Sequence, residues 1–573
     1  MILLRFHRLL IAAITLASMT SASGEDLQSS IESIPTLSLR ELEQKRANIE
    51  QELSGLAHYS LRSGVGSIGY RSMPHNHPNN TEWFEVHLEE EVAINEIILV
   101  PAIWRDAQMG FVADGFPLEF KLLAGKQGDE TGKVLATFTR ENSFLPRIAP
   151  IVIPVEDSLA SWVRLEATHL SPRAYDDGYI LQMSEILIFS GEENVAIRGT
   201  TKASSEQRAG SGAWHKDNLI KGFLPYLMDA AEGEQSLAYV SEYDIGASPY
   251  IMIDLGAEYS IDNILLHGVE QGDTVPQAFA GDFGVPRWLQ IIGASQADFS
   301  DQEILSDLRV HNSLDTAPIM MIPLESNSCR YVKFLARKPY ILEGFSEDGS
   351  EIALNRIGFS EIEIFSQGRN VSRGKTPITN FDDNSPNRTI LSLTDGNNLY
   401  GIILPLQDWM HQLAKRHDLE VQLPIVELEL AQQYNRQEAR LRILSWAIAA
   451  LFTGTIIFIL VTRFFKQKAI FKIRNRIAAD LHDELGANLH AVSMLGELAS
   501  KAKGDPEKVQ SLIDRIRSLT QRTSKAVKYC TNILETPGLY ADFEDAMIRN
   551  ADRLLADLDH KLVFEAEDTI TKM

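Results

Sequence analysis

Two hydrophobic rhythms divide this chain. Over residues 55–372, short segments alternate apolar and polar positions or form brief apolar runs, and Gly, Pro, Asn and Asp punctuate them. That is the grammar of many short β-strands joined by turns. Towards the C-terminus the period changes. Ile477, Leu481, Leu485, Leu489, Val492 and Leu495 recur at three- and four-residue spacing, and so do Val509, Leu512, Ile513, Ile516, Leu519, Val527, Ile533 and Leu534. Each set predicts an amphipathic helix, over 466–503 and from 506 to about 534. Between them Gly504-Asp505-Pro506 offers a tight break, with Asp505 placed to cap and Pro506 at the first helical position.

The strand region repeats itself. Ser184-Glu-Ile-Leu-Ile-Phe-Ser190 and Asn194-Val195 recur as Ser360-Glu-Ile-Glu-Ile-Phe-Ser366 and Asn370-Val371, both 176 positions later. Trp83-Phe-Glu-Val-His-Leu88 and Ile94-Asn-Glu-Ile-Ile-Leu99 recur as Tyr250-Ile-Met-Ile-Asp-Leu255 and Ile261-Asp-Asn-Ile-Leu-Leu266, both 167 positions later. Val163-Arg-Leu165 pairs likewise with Val332-Lys-Phe334. Two all-β sandwiches follow, over 55–195 and 196–372. An acidic helical segment is expected before them, over 27–54 within an N-terminal piece 24–54, with Leu39, Leu42 and Ile49 as its contacts. A linker rich in Asn, Asp, Pro and Thr then leads through a juxtamembrane helix, 373–442 in all, with a kink at Pro424.

Residues 443–462 carry no charge and are long enough to cross about 30 Å of hydrocarbon. Trp446, Phe464 and Phe465 fit the interfaces, and Arg463, Lys466, Lys468, Lys472, Arg474 and Arg476 follow before any acid. At the other end, Arg5 and Arg8 precede an apolar run over 9–19 and the small residues Thr20-Ser-Ala-Ser23, the pattern of a secretory signal over 1–23. The expected topology is single-pass: a large extracytoplasmic N-terminal region and a small cytoplasmic C-terminal one, in a bacterial inner membrane.

Composition narrows the partners. Seventy-eight acidic against 54 basic residues give a net charge of −24, and no basic stripe appears, so nucleic acid is excluded as a partner. The cysteines are Cys329 and Cys530, which the topology places on opposite sides of the membrane. No metal-ligand spacing can be built from them. His75 and His77 share a loop but lack two further ligands, and solvated histidines are the plainer reading. Trp104 and Trp214 are loop aromatics that either pack or stack on a ligand.

The strand motifs resemble discoidin (coagulation-factor type C) domains, which are jelly-roll sandwiches of the galactose-binding-like class. The second copy keeps the usual Asp254-Leu-Gly256, where the first has His87-Leu-Glu89. The resemblance implies ligands among carbohydrates, lipids or proteins, held by loops at one end of the barrel, with an extracytoplasmic carbohydrate one such partner.

In the C-terminal region, Arg476-Ile-Ala-Ala-Asp-Leu-His-Asp-Glu-Leu-Gly486 resembles the dimerisation and phosphoacceptor signature of bacterial sensor histidine kinases of subgroup 3. The resemblance implies that His482 is phosphorylated, that Asp483 accepts the other ring proton, and that Glu484 assists electrostatically. It makes 463–535 a helical hairpin that pairs with a second copy in a four-helix bundle, with a response regulator as phosphoryl acceptor. Many members carry a glutamine four residues after the aspartate for dephosphorylating the regulator; here that position is Ala487, and Asn488 points about 100° away. An ATP-binding domain is implied beyond the hairpin. Only 38 residues follow Glu535, none of the expected glycine-rich loops is among them, and 541–564 reads as the opening helix and strand of such a module. ATP and magnesium are therefore expected only with a kinase module supplied separately. A rival reading is a non-enzymatic carbohydrate-binding surface protein whose cytoplasmic helices are vestigial.

Overall fold

A computed structural model describes residues 24–535 apart from loops at 62–67, 107–109, 141–144, 175, 177, 208–211, 243–244, 247, 270–283, 311–316, 346–350, 383–388 and 503. The expected signal sequence 1–23, the segment 536–573, and the side chains of Cys530, Ile533 and Leu534 lie outside the described residues. The chain divides into two units, Met1–Asn435 and Arg436–Met573.

The first unit opens with helices α1 (Gly24–Ser33) and α2 (Leu39–Ser54), in place of the single helix expected. Pro35 has no N–H to continue the ladder, and Ser38 starts a new helix through a reciprocal capping box with Glu41. Leu42 and Ile49 are buried as expected, and Leu39 is partly buried beside them.

The sandwich strands of the first copy are β1 (Glu82–Val100), β2 (Glu119–Gly125), β3 (Lys133–Phe138), β4 (Ile151–His169), β5 (Glu185–Ser190), β6 (Glu193–Asn194) and β7 (Thr200–Ala203). Those of the second are β8 (Tyr250–His267), β9 (Trp288–Ala294), β10 (Glu303–Arg309), β11 (Ile319–Lys338), β12 (Glu361–Ser366), β13 (Arg369–Asn370) and β14 (Pro377–Thr379). The first sheet runs β6-β5-β1-β4-β2-β3 with β7 also on β1; the second runs β13-β12-β8-β11-β9-β10 with β14 also on β8. The repeat in sequence is thus a repeat in topology.

The two longest strands of each copy bend where their register slips, between His87 and Val92 in the first and between Asp254 and Tyr259 in the second. Each bend carries one strand into both layers around its own core, built on Phe84, Ile97, Val163 and Ile188 in one and Ile253, Ile264, Phe334 and Ile364 in the other. The Asp-Leu-Gly of the second copy serves that bend. Gly256 has φ +84, its N–H donates to Asp254 Oδ1 at 2.8 Å, and Arg330 clasps the same carboxylate with two bonds of 2.8 Å.

Both sandwiches reach past the boundaries expected from the repeat. β7 lies beyond 195 yet pairs with β1, and β14 lies beyond 372 yet pairs with β8. Nor are the described residues of 373–405 a loose linker. Buried Asn398 donates to Met228 O at 2.9 Å and accepts from the N–H groups of Tyr400 and Gly401. Their polar composition reflects side chains that satisfy a folded backbone.

Helix α3 (Leu406–Lys501) is continuous for 96 residues, with Pro424 inside it, where separate juxtamembrane, membrane and cytoplasmic helices were expected. Its first turns sit in a third core, in which Trp409, Met410 and Leu413 meet Ile98, Val100 and Leu187 of the first sandwich, Tyr226, and Ile319 of the second. His411 and Gln407 bind Glu96 at 2.6 and 2.8 Å. Helix α2 lies antiparallel along 415–434, packing Leu42 and Ile49 on Val426 and Leu430. Arg416 donates to the carbonyls of Leu53, Leu56 and Ala57, supplying a cation and donors where α2 ends. This packing holds the helix through Pro424.

The buried glutamates Glu185 and Glu361 occupy equivalent places in the two copies. Glu185 accepts the N–H groups of Gly222 and Phe223 at 2.9 and 3.1 Å, and Glu361 accepts that of Gly396 at 3.1 Å. Burial, with Glu363 nearby, pushes the Glu361 carboxyl from its ordinary 4.5 up to about 10, and its Oε2 has no hydrogen-bond partner among the described residues. A carboxyl that is protonated only when folded stabilises the fold fully below its unfolded value, and that stability is lost as pH rises through the folded one. Glu361→Gln should therefore match the parent near pH 5 and exceed it by more than about 1.4 kcal/mol, the equivalent of one pKa unit, near pH 9. Chemical denaturation at both values checks this.

Candidate phosphoacceptor site

The second unit contains the rest of α3 and α4 (Pro506–Glu535). Val509 has its N–H bonded to Asp505 O at 3.2 Å, and Lys508 N–H reaches Asp505 Oδ1 at 3.4 Å, so Asp505 caps α4 with Pro506 behind it. Ile477, Leu481, Leu485, Val492 and Leu495 are half-buried, as are Val509, Leu512, Ile516, Leu519 and Val527. Leu489 and Ile513, expected in the same stripes, are exposed at 58% and 46%. Two helices cannot enclose both stripes, so apolar positions are left open. A groove between the helices is lined by Leu485, Asn488, Val492, Thr523 and Val527.

His482, Asp483 and Glu484 are all exposed on α3. Among the described residues none of the three shares a hydrogen bond or ion pair with another, because consecutive helical side chains diverge by about 100°. The surroundings of His482 are sparse. One turn away on either side stand Ala478 and Gly486, with Ala479 at i−3. A Cβ on Gly486 would meet nothing within 4 Å. Glycine inside a helix costs about 0.8–1 kcal/mol against alanine, and packing does not require it here. It leaves open space one turn from the imidazole. Ala487 is exposed beside it, and Asn488 turns into the groove.

Of the sandwich residues singled out from sequence, Trp214 and His75 are engaged with neighbours, and His77 and Trp104 are exposed. The Arg71 guanidinium lies 3.7 Å from the centre of the Trp214 ring. His75 bonds Glu82 and Asn80, each at 2.6 Å, while His77 is exposed. No group of three His, Cys, Asp or Glu side chains suited to a metal occurs among the described residues. Trp104 stands 39% exposed on the hairpin Ile103–Asp106 and Gly110–Ala113.

Taken together, these features define a chain of paired jelly-roll β-sandwiches and a helical hairpin that presents a histidine. Residues 474–538 match the family described as histidine kinase (HisKA_3). This segment is therefore a histidine kinase domain of subgroup 3, the kind through which two chains pair and signal to response regulators. No curated protein matches the chain. Among solved structures, a chitobiase fragment from Bacteroides thetaiotaomicron is 17% identical over 21% of this chain and 60% of its own, with a TM-score of 0.15. A fucolectin from striped bass serum is 12% identical over 54% and 99%, with a TM-score of 0.16. The CBM32-1 and CBM32-2 domains of ZmpB from Clostridium perfringens, solved with GalNAc, are 10% identical over 55% and 88%, with a TM-score of 0.15. Similarity at this level does not extend to a shared ligand.

Among the described residues one helix, α3, is long and apolar enough to cross a membrane. Trp446, Leu451 and Phe458 in that stretch are exposed, a pattern compatible with a single-pass protein.

Proposed function

We propose that the chain is a membrane-spanning two-component sensor: the sandwiches bind an extracytoplasmic ligand, and His482 carries a phosphoryl group to an aspartate of a response regulator. The observation that carries this reading is His482, exposed and uncrowded within the matched histidine kinase segment. A ring nitrogen of neutral His482 attacks the terminal phosphorus of the donor nucleotide. The N–P bond forms as the bond to the diphosphate leaving group breaks. Asp483 takes up or holds the proton on the other ring nitrogen, which keeps the attacking nitrogen nucleophilic, and Glu484 contributes negative potential that favours the imidazolium. Asp483 reaches the ring after a rotamer change, since the two side chains are not bonded at rest.

The hairpin pairs with a second copy. Ile513→Glu should halve the apparent mass of the detergent-solubilised chain in light scattering without loss of helical circular dichroism; an unchanged mass would place the pairing surface elsewhere. On the outer side, Trp104, 39% exposed, is the aromatic we assign to stack on a carbohydrate ring. The reading is tested by mixing the full chain with an intact histidine kinase of the same subgroup and radiolabelled ATP. Acid-labile label on this chain, passing on to a response regulator, is the expected result. No label above that of a heat-denatured control would overturn it.

A further inference from the structure

At one place on their outer faces the two copies of the sandwich differ in chemical character. In the first copy Val100 and Leu187 sit on that face, buried in the core that receives Trp409 and Met410. The equivalent positions of the second copy, by the same offsets of 167 and 176, are His267 and Glu363. Their side chains are only 8% and 13% exposed, His267 Nε2 lies 2.9 Å from Glu363 Oε2, and Asn370 Nδ2 donates to Glu363 Oε1 at 3.0 Å. A buried polar pair is a poor substitute for well-packed aliphatic side chains as a source of stability. The fold tolerates aliphatic residues here, as its own first copy demonstrates, so the polar pair needs another reason.

That pair lines a cleft of about 310 Å³ within the first unit. The floor is apolar, formed by Phe189, Met228, Ile319, Met321 and Ile403, and one wall is Leu406, Gln407 and Asp408 of the first turn of α3. The size suits a small molecule. Its charge is one-sided. Of the lining acids, Glu193 is paired with Arg198 and Glu363 with His267. Glu192, Asp262 and Asp408 have no salt bridge among the described residues, and burial raises the Asp262 carboxyl. Arg373, exposed at the edge, is the one arginine on the lining. Among the described residues no three ligating side chains converge as a metal ion needs. Asp262 accepts the neutral donors Gln367 N–H and Asn263 Nδ2 at 2.6 and 3.1 Å, so an apolar floor lies beneath dispersed carboxylates without a salt bridge, which fits an organic cation.

We propose that this cleft binds a small organic ammonium compound, its apolar body on the floor and its charged group among Glu192, Asp262 and Asp408. Bound there, it touches both sandwiches and the first turn of α3 at once. The assignment rests on the sensor reading only for the consequence of binding, not for binding itself.

The test is equilibrium titration of the full chain in detergent micelles with 2-phenylethylammonium, and with 3-phenylpropanol and 3-phenylpropanoate as neutral and anionic counterparts. The ammonium compound should bind saturably and at least about tenfold more tightly than either counterpart. Glu192 and Asp408 are exposed, so Glu192→Gln with Asp408→Asn should weaken binding about tenfold or more while leaving the near-ultraviolet circular dichroism of the sandwiches unchanged. Equal affinity for all three compounds, absence of saturation, or full affinity in the double variant would overturn the proposal. His482→Gln should bind the ammonium compound unchanged. Failure of the cleft and failure of phosphoryl transfer are thereby read separately.

Discussion

Replacing His482 with glutamine should remove all acid-labile label from this chain in the mixed phosphorylation assay. Glutamine keeps similar length and hydrogen-bonding capacity but has no basic ring nitrogen, so no phosphoramidate bond can form. Because His482 is exposed and bonded to neither neighbouring acid, the fold should shift by no more than about 0.5 kcal/mol. Loss of label with unchanged mass and helicity therefore isolates chemistry from folding. The neighbouring substitutions should grade the effect. Asp483→Asn lowers the rate by weakening the base, whereas Ala487→Gln leaves acceptance alone and adds an amide where many relatives use one against the phosphorylated regulator. The Gly486 clearance makes one more demand: Gly486→Leu should slow acceptance from the bulky donor while favouring the helix.

The second large effect concerns the root of α3. Trp409 is fully buried, with its ring edge-on to Tyr226 at 6.3 Å and 83°, in a core drawn from both sandwiches and the helix. Trp409→Ala should cost the first unit about 3–5 kcal/mol, the usual range for such a deletion. With two units a single melting temperature is not well defined. The loss is best followed by near-ultraviolet circular dichroism of the sandwiches and by protease sensitivity at 373–405, while hairpin helicity persists. A change below about 1 kcal/mol would show that this core does not hold the helix root.

Much of this was legible in the sequence, for identifiable reasons. The duplicated sandwich announced itself because strand period and repeat offset both survive in Trp83–Leu99 and Tyr250–Leu266, and the two sheets share one strand order. The histidine kinase segment was legible because its signature is one contiguous run, Arg476–Gly486, inside the matched residues 474–538. The third core was not. Ile98, Leu187, Tyr226, Ile319 and Trp409 come from distant segments, and each looks in sequence like an ordinary strand or helix position. Residues 373–405 read as a linker because Asn and Asp mark turns, whether the turn is free or packed. β7 and β14 were misplaced because each completes the sandwich before it, across the boundary that the repeat suggests. Composition splits α3 into juxtamembrane, membrane and cytoplasmic stretches, yet one helix runs over Leu406–Lys501 with Pro424, the expected kink, inside it. Leu489 and Ile513 obey the helical period yet remain open, since the period shows which face is apolar and not what covers it.

The central claim is that one side chain, His482, carries the phosphoryl group. The most direct measurement is phosphopeptide mapping of the full chain after labelling by an intact kinase of the subgroup. The account predicts one phosphoryl group on the peptide containing His482, labile in acid and stable in alkali. Label on His490, on an alkali-labile acyl phosphate at Asp483 or Glu484, or on no peptide of this chain would contradict it.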